Sequence, residues 1–211
     1  MRKIGKSWSS LMCFDTQSSL LAWSLTYSIS LFLYFRNKNY DRWNAAFIMT
    51  LSTIQLLEAG IWYTPKYNEV LTMGILITLI TQPLVQNYMG YKHTQKDVLG
   101  YASWIFLGLL IWTLFRIFSS GSGQFSTSVG PSGHLVWNDA KSSFLGGWWI
   151  TALYLAGLFV PLFFMKEGKG GVLMTRGAIT VVLSLLVTSS GEFSSYWCYT
   201  TVIYGLAALF I

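Results

Sequence analysis

Three residues on one predicted helix face could do chemistry inside a membrane. Gln55, Glu58 and Trp62 follow one another at i, i+3 and i+7, so a helix presents them on one face. They belong to the apolar stretch Trp43–Tyr63, which is long enough to cross a bilayer, since about 20 residues at about 1.5 Å rise cover about 30 Å of hydrocarbon. Of the eight acidic residues in the chain, only Glu58 lies well inside an apolar stretch.

A carboxylate at this depth costs a few kcal/mol or more, so it is usually paired, protonated or facing a cavity. One interpretation makes Glu58 a proton or cation site, or a polar contact for a substrate, with Gln55 hydrogen-bonding the carboxylate. The other makes Glu58 a structural group that is tied to helix-end amides or to Arg116, which is predicted at a similar depth on another helix. The sequence leaves both interpretations open.

The composition says what kind of element must hold these residues. The chain is 53% hydrophobic and only 10% charged, whereas an ordinary soluble domain is about 25% charged. Its net charge of +6 comes from lysines and arginines in the short gaps between apolar stretches, where anionic lipid headgroups would place them. This pattern predicts a partner in the lipid bilayer and not in nucleic acid.

Seven apolar stretches predict an all-α, polytopic transmembrane bundle of seven helices. A polar lead over residues 1–17 precedes a single transmembrane domain over residues 18–211, with a Gly/Ser-rich loop at 119–143. The last stretch is short, so six helices and a partial one are the alternative. The predicted spans are Ser18–Phe35, Trp43–Tyr63, Val70–Tyr91, Val98–Phe118, Gly146–Met165, Val172–Ser189 and Tyr196–Ile211.

A second polar strip is predicted on the third span, where Gln82, Gln86 and Asn87 lie next to Pro83. These residues could line a permeation or binding track. They could also form interhelical hydrogen bonds, which hold membrane bundles together at roughly 1 kcal/mol each. We favour the second interpretation.

Charge and cysteine positions indicate the sidedness of the chain. Outside the N-terminal lead, three basic residues fall on the N-terminal side of the membrane and eight on the other. The positive-inside rule therefore predicts an outside or lumenal N-terminus and a cytosolic C-terminus. Cys13 and Cys198 both fall on the N-terminal side, where they could form a disulfide if that side is oxidising. Alternatively they are two unpaired, small apolar residues.

Other chemistry is less well supported by the sequence. The chain has two histidines, and they are predicted on opposite faces, so we expect no metal site and no cofactor. His134 lies in the long loop with Asp139, and a serine–histidine pair stays open. Several tryptophans fall at span ends, which is typical of an interfacial aromatic belt: Trp43, Trp62, Trp137, Trp148, Trp149 and Trp197.

Three local patterns resemble a family of small seven-span membrane proteins of unknown function, found in bacteria with relatives in algae and large DNA viruses. The first is Met12-Cys13-Phe14 with Ser18-Ser19 at the head of span one. The second is Gln55-x-x-Glu58-x-x-x-Trp62. The third is Ser195-Tyr196-Trp197-Cys198 entering the last span, with Ser194 where the family has glycine. The resemblance implies seven spans and closeness of the two cysteine motifs, and it implies no activity.

The sequence thus predicts a transporter, channel or small-solute receptor with a polar site around Glu58. The expected pathway residues are Glu58, Gln55, Trp62, Arg116, Gln82 and Gln86, and the expected ligand is an unknown small solute or ion. The alternatives are a membrane enzyme that acts on a lipid, through Glu58, His134 or a serine, and a structural or assembly protein of a membrane. An oligomer is compatible with each of these.

Overall fold

The computed structural model describes residues 15–211 except 121–122, 132, 140–147 and 189–191. Nearly all of the polar lead that was predicted over residues 1–17 therefore lies outside the described residues. Within them the chain is a helical bundle with one small hairpin, and the all-α prediction is confirmed. The helices are α1 (Thr16–Arg36), α2 (Asp41–Tyr63), α3 (Asn68–Thr94), α4 (Asp97–Ser119), α5 (Trp148–Phe159), α6 (Lys169–Val187), α7 (Phe193–Tyr199) and α8 (Thr201–Ala208), with short 3-10 turns at Pro65–Tyr67 and Val160–Phe164.

Five of these helices, α1, α2, α3, α4 and α6, are long and apolar enough to cross a membrane. The fifth predicted span is shorter, because α5 passes into a 3-10 turn at Val160, immediately before Pro161. The last predicted span is divided at Thr200 into α7 and α8. The bundle is consistent with a multi-pass membrane protein, and the number of seven crossings stays a prediction.

Besides its buried apolar core, the bundle exposes many large apolar side chains and buries many polar ones. Large apolar side chains face outward, such as Phe35 at 78%, Leu186 at 76% and Phe118 at 82% exposure. Polar side chains such as Gln55 and Gln82 are buried between helices. A soluble protein rarely exposes apolar surface on this scale, whereas lipid makes such a surface favourable.

The predicted loop at 119–143 contains a β-hairpin, which the sequence analysis did not predict. Strands β1 (Phe125–Val129) and β2 (Leu135–Asp139) pair antiparallel, with Phe125 opposite Asp139 and Val129 opposite Leu135. Phe125 and Thr127 are buried while Ser126 and Ser128 are exposed, which is the period-two alternation of a strand. Glycine and serine around this short pattern conceal it in the sequence.

Two faces of the bundle can be defined by their contacts. We call the face that carries the hairpin, the end of α2 and the starts of α3 and α7 the hairpin face. The opposite face holds Arg36 and Asp41, and we call it the Arg36 face. There the Arg36 guanidinium donates two hydrogen bonds to Asp41, at 2.7 and 2.6 Å, and a third, at 2.7 Å, to the Leu209 carbonyl. This cluster joins α1 and α2 to the end of α8.

The close approach of α5 to α3 and α4 depends on Gly157. A Cβ atom at this position would overlap the ring of Phe106 on α4 and lie 2.7 Å from the Cβ of Pro83 on α3. Only glycine, which has no Cβ, permits this packing.

Gly157→Ala is therefore expected to lower the free energy of unfolding by about 1–3 kcal/mol, the usual cost of overpacking a tight core. Thermal unfolding in detergent measures the effect. Gly108→Ala on α4 is the matched control, because a Cβ there meets no atom within 4 Å, and alanine favours a helix over glycine. Equal melting temperatures for the two variants would contradict this account of the packing.

Candidate functional site

Glu58 lies inside the bundle beneath the hairpin, and its side chain is only 3% exposed. The indole N–H of Trp137 on β2 donates to Glu58 Oε1 at 3.0 Å. The side chain of Ser195 on α7 also hydrogen-bonds the Glu58 carboxyl group. The carboxyl is therefore held by two neutral donors from two other parts of the chain.

The hairpin is fixed over Glu58 by side chains at the start of α3. Asn68 Nδ2 donates to the Thr127 carbonyl at 2.7 Å, and Asn68 Oδ1 accepts from the Thr127 N–H at 2.7 Å. The hydroxyls of Thr72 and Thr127 lie 2.7 Å apart, and Glu69 accepts a hydrogen bond from the Gly123 N–H. Asn68 thus pairs with both the N–H and the carbonyl of Thr127, as a neighbouring strand would, and this links the hairpin to α3.

On its other side the hairpin meets α7. The rings of His134 and Tyr196 are in edge contact, with centroids 5.0 Å apart. Glu192, at the start of α7, is fully buried and packs against Gly130 in the hairpin turn so closely that a Cβ there would collide with the carboxylate. The hairpin thus bridges α3 and α7 and covers the carboxyl that lies between them.

Gln55 lies one turn below Glu58 on the same face of α2, at 1% exposure. Among the described residues, neither its amide oxygen nor its amide nitrogen has a hydrogen-bond partner. Leaving a buried polar group unpaired costs about 1–3 kcal/mol. A bound water or polar ligand would remove this cost, so Gln55 is a candidate binding group near Glu58.

Beyond Gln55 the polar groups continue into a cavity at the centre of the bundle. Its volume is about 40 Å³. Tyr154 on α5 donates to Gln82 Oε1 at 2.5 Å on its wall. Most of its lining is apolar, and its polar groups come from Gln82, Tyr154, Thr180, Trp197, Cys198, Thr201 and Tyr204.

The rest of the predicted polar strip on α3 makes interhelical hydrogen bonds, as favoured from the sequence. Asn87 Nδ2 donates to the Gly157 carbonyl at 2.9 Å, and Gln86 Nε2 donates to the Leu158 carbonyl at 3.1 Å. Pro161 has no N–H for the Gly157 carbonyl four residues earlier. The strip on α3 therefore supplies donors that the end of α5 lacks.

Trp43 does not lie in the interfacial aromatic belt that the sequence analysis predicted for it. It is fully buried, and its indole N–H donates to Gln86 Oε1 at 3.0 Å. Gly90 permits this position, because a Cβ there would come within 2.9 Å of the Trp43 ring. Trp43 is thus part of the α2–α3 packing.

The structure separates several residues that the sequence grouped. Arg116 is exposed near the end of α4, and no ion pair joins it to Glu58, both being in the described part of the chain. Trp62 is half-buried against the core. Cys198 is a buried free thiol, and Cys13 lies outside the described residues, so their disulfide stays a prediction.

Trp137, Ser195 and Tyr154 are site residues that the sequence analysis missed. Trp137 was assigned to the membrane interface because it stands in a loop beside a span. Ser195 was part of a family-like pattern without a role. Trp137 and Glu58 are 79 residues apart along the chain. A local sequence pattern cannot indicate a hydrogen-bond partner at that separation.

His134 makes the docking of the hairpin sensitive to pH. Burial of the imidazole lowers the pKa of His134 below the ordinary 6.5, while the nearby charge of Glu192 acts in the opposite direction. A lowered pKa means that the undocked hairpin binds the proton more readily than the docked one. The contribution of His134 to docking is therefore complete above about pH 6.5 and is lost as the pH falls towards the lowered pKa.

Hydrogen exchange of the hairpin amides, corrected for its intrinsic pH dependence, is expected to be faster at about pH 5.5 than at about pH 7.5. In His134→Gln this difference should disappear. The other histidine, His93, is exposed at the end of α3, and His93→Gln should retain the full difference. A pH response that survives in His134→Gln would remove His134 from the explanation.

Together the fold and site describe a helical bundle with a buried carboxyl beneath a hairpin and five helices able to cross a membrane. No protein-family model, curated protein or solved structure matches this chain. The resemblance to the small seven-span family stays a prediction.

Proposed function

We propose that this protein is a seven-pass membrane transporter or channel, and that the species it moves binds at Glu58. Seven crossings are supported by the contacts at the two ends of the last helix pair. The start of α7 meets the hairpin, and the end of α8 meets Arg36 on the opposite face. α7 and α8 together therefore connect the two faces. The charge distribution of the sequence supports a cytosolic Arg36 face.

One observation carries the transport proposal. Glu58 is a buried carboxyl in a helix that is long and apolar enough to cross a membrane, and no cationic side chain pairs with it among the residues described. Its hydrogen-bond partners, Trp137 and Ser195, carry no charge. A charged carboxylate in this setting is compensated only by taking up a proton or a small cation. A structural group would instead be expected beside a permanent positive charge.

The hairpin supplies the access step of this mechanism. It closes the hairpin face over Glu58 through the hydrogen bonds between Asn68 on α3 and Thr127 and the one from Trp137 to Glu58, and these bonds can break and re-form. When the hairpin lifts, the Trp137 bond to Glu58 breaks and the carboxyl meets water. When it closes, the bound species is sealed from that side.

The test is flux through purified protein in sealed vesicles. Wild-type protein is reconstituted, and proton entry is followed with an internal pH-sensitive dye, with Na⁺ and K⁺ fluxes measured alongside. Protein-free vesicles show the leak of the lipid alone. A flux of any of these ions well above the leak supports the proposal. Folded protein with no flux above the leak at any pH between about 5 and about 8 rejects it.

A lipid-acting enzyme is the second candidate, and the Ser195–Glu58 hydrogen bond favours it. A carboxylate beside a serine hydroxyl can act as the general base that activates the serine as a nucleophile. Ser195 is 5% exposed, so a lipid would reach it only after the hairpin lifts. Analysis of the vesicle lipids after the flux assay distinguishes the candidates, because lipid turnover without flux would select the enzyme.

A further inference from the structure

We propose that the species moved is the proton, and that it crosses the middle of the bundle through Gln55, a water-sized central cavity and Tyr204. This inference rests on the transport function proposed for Glu58 and identifies what is transported. It is carried by the positions of unpaired, buried polar groups between the two faces of the bundle. Each group adds one step to the proposed path.

The first step leads from Glu58 to Gln55. These residues are spaced i and i+3 on α2, and Leu51, four residues before Gln55, lines the cavity. Gln55 therefore lies between the carboxyl and the cavity on one helix face. Both polar atoms of its amide lack partners among the described residues, so it can accept from one water and donate to another.

The second step is the cavity itself. A volume of about 40 Å³ has room for about three water molecules at most. Polar groups that could hold them project from five helices, among them Tyr154, Thr180 and Thr201. The amide nitrogen of Gln82, also on this wall, has no partner among the described residues. A water needs two to four such partners to be held in a buried site, and this lining offers them.

The third step leads from the cavity towards the Arg36 face through Tyr204. Its hydroxyl is buried and lies beside Gln86. In the described part of the chain, no protein atom forms a well-aligned hydrogen bond with this hydroxyl. Tyr204 lines the cavity and is four residues from Ala208, where α8 ends. At about 1.5 Å per residue, its backbone is only about 6 Å from that end of the helix.

The size and the lining of the cavity favour the proton among the species that Glu58 could bind. A solute or a hydrated cation larger than three waters does not fit, and the mostly apolar lining has few oxygen ligands for a dehydrated cation. A proton needs only a chain of hydrogen bonds. The Gln55 amide orders the waters on either side of it and is not itself protonated. Between the waters and the Tyr204 hydroxyl, each oxygen accepts one proton and releases another, so one O–H bond forms as another breaks. No charge remains on the path after the proton leaves.

Two variants interrupt the path without touching Glu58. Tyr204→Phe removes only the hydroxyl, which lies beside Gln86 but makes no well-aligned hydrogen bond with a protein atom in the described part of the chain. Leu51→Phe adds carbon atoms to a cavity-lining side chain on α2. The matched controls are Tyr101→Phe and Leu56→Phe, since Tyr101 is 71% exposed on α4 and Leu56 is 41% exposed on α2. Thermal unfolding of each variant in detergent verifies folding.

Proton flux driven by a potassium diffusion potential is measured in sealed vesicles, in ordinary and in heavy water. Both path variants are expected to lower the flux about tenfold, because one hydrogen-bonded link is lost or its water is displaced. Both controls should match wild type. Wild-type flux should slow in heavy water. In separate vesicles without the potassium ionophore, Na⁺ and K⁺ should not pass.

The outcomes separate this inference from the transport proposal. Wild-type protein without any ion flux rejects transport as a whole. Proton flux that persists at the wild-type rate in folded Tyr204→Phe overturns the path alone, and so does Na⁺ or K⁺ flux equal to the proton flux. If Leu51→Phe does not fold, the Tyr204→Phe result decides.

Discussion

Replacing Glu58 with glutamine is expected to abolish the flux that wild-type protein carries in sealed vesicles. Glutamine has nearly the shape of glutamate, and its amide oxygen can still accept from Trp137 and Ser195, so the hairpin stays docked. It cannot take up or release a proton, and it has no charge to attract a cation. The fold is therefore kept while the chemistry of the site is lost.

Two further variants sharpen this experiment. Glu167→Gln is the matched control, because Glu167 is 76% exposed on a turn and pairs only with Lys169, and we expect it to carry wild-type flux. Glu58→Asp keeps the carboxyl but withdraws it by one methylene from Trp137 and Ser195, so reduced flux is expected. Full flux in Glu58→Gln would remove this carboxyl from the pathway.

Replacing Arg36 with methionine is expected to cause the largest loss of stability. Asp41 is 2% exposed, and Arg36 is the cation that pairs with it, at 2.6 Å. The same guanidinium also donates to the Leu209 carbonyl at 2.7 Å. Removing it leaves a buried carboxylate that keeps the hydrogen bond from the Lys38 N–H, at 2.8 Å, and the nearby charge of the Lys38 side chain. Breaking a buried pair costs about 3–5 kcal/mol, and since Arg36 is 21% exposed we expect about 2–4 kcal/mol.

Denaturant unfolding of the purified protein measures this loss. Arg176→Met is the matched control, because Arg176 is exposed on α6, and we expect it to be close to wild type. The double variant Arg36→Met with Asp41→Leu removes both charges and should recover much of the loss, because the cost comes mainly from the unpaired carboxylate. A double variant no more stable than Arg36→Met alone would assign the effect to the Leu209 contact.

The candidate site was only partly readable from the sequence. Glu58 was identified because a carboxylate inside an apolar stretch is costly wherever the chain folds. Its proposed partner Arg116 was chosen for similar predicted depth, and depth does not tell which helices are neighbours. In the structure Arg116 is exposed on α4, and the partners come from the hairpin and α7.

The hairpin was missed for a related reason. Its strands are five residues each, and their alternation is carried by few apolar side chains. In isolation such a hairpin is marginal in water. It is stabilised here by Asn68 and Thr72 on α3, which a local sequence pattern cannot include.

The sequence by itself determined that this chain forms long apolar helices, because the length and hydrophobicity of a stretch are local properties that set its preference for lipid. It also determined that Glu58 would need compensation and that the polar strip on α3 would need partners. Only the tertiary structure decided which groups meet those needs. Trp137 reaches Glu58, and Gln86 reaches the Leu158 carbonyl, because helix packing and the docked hairpin bring together residues that are far apart along the chain.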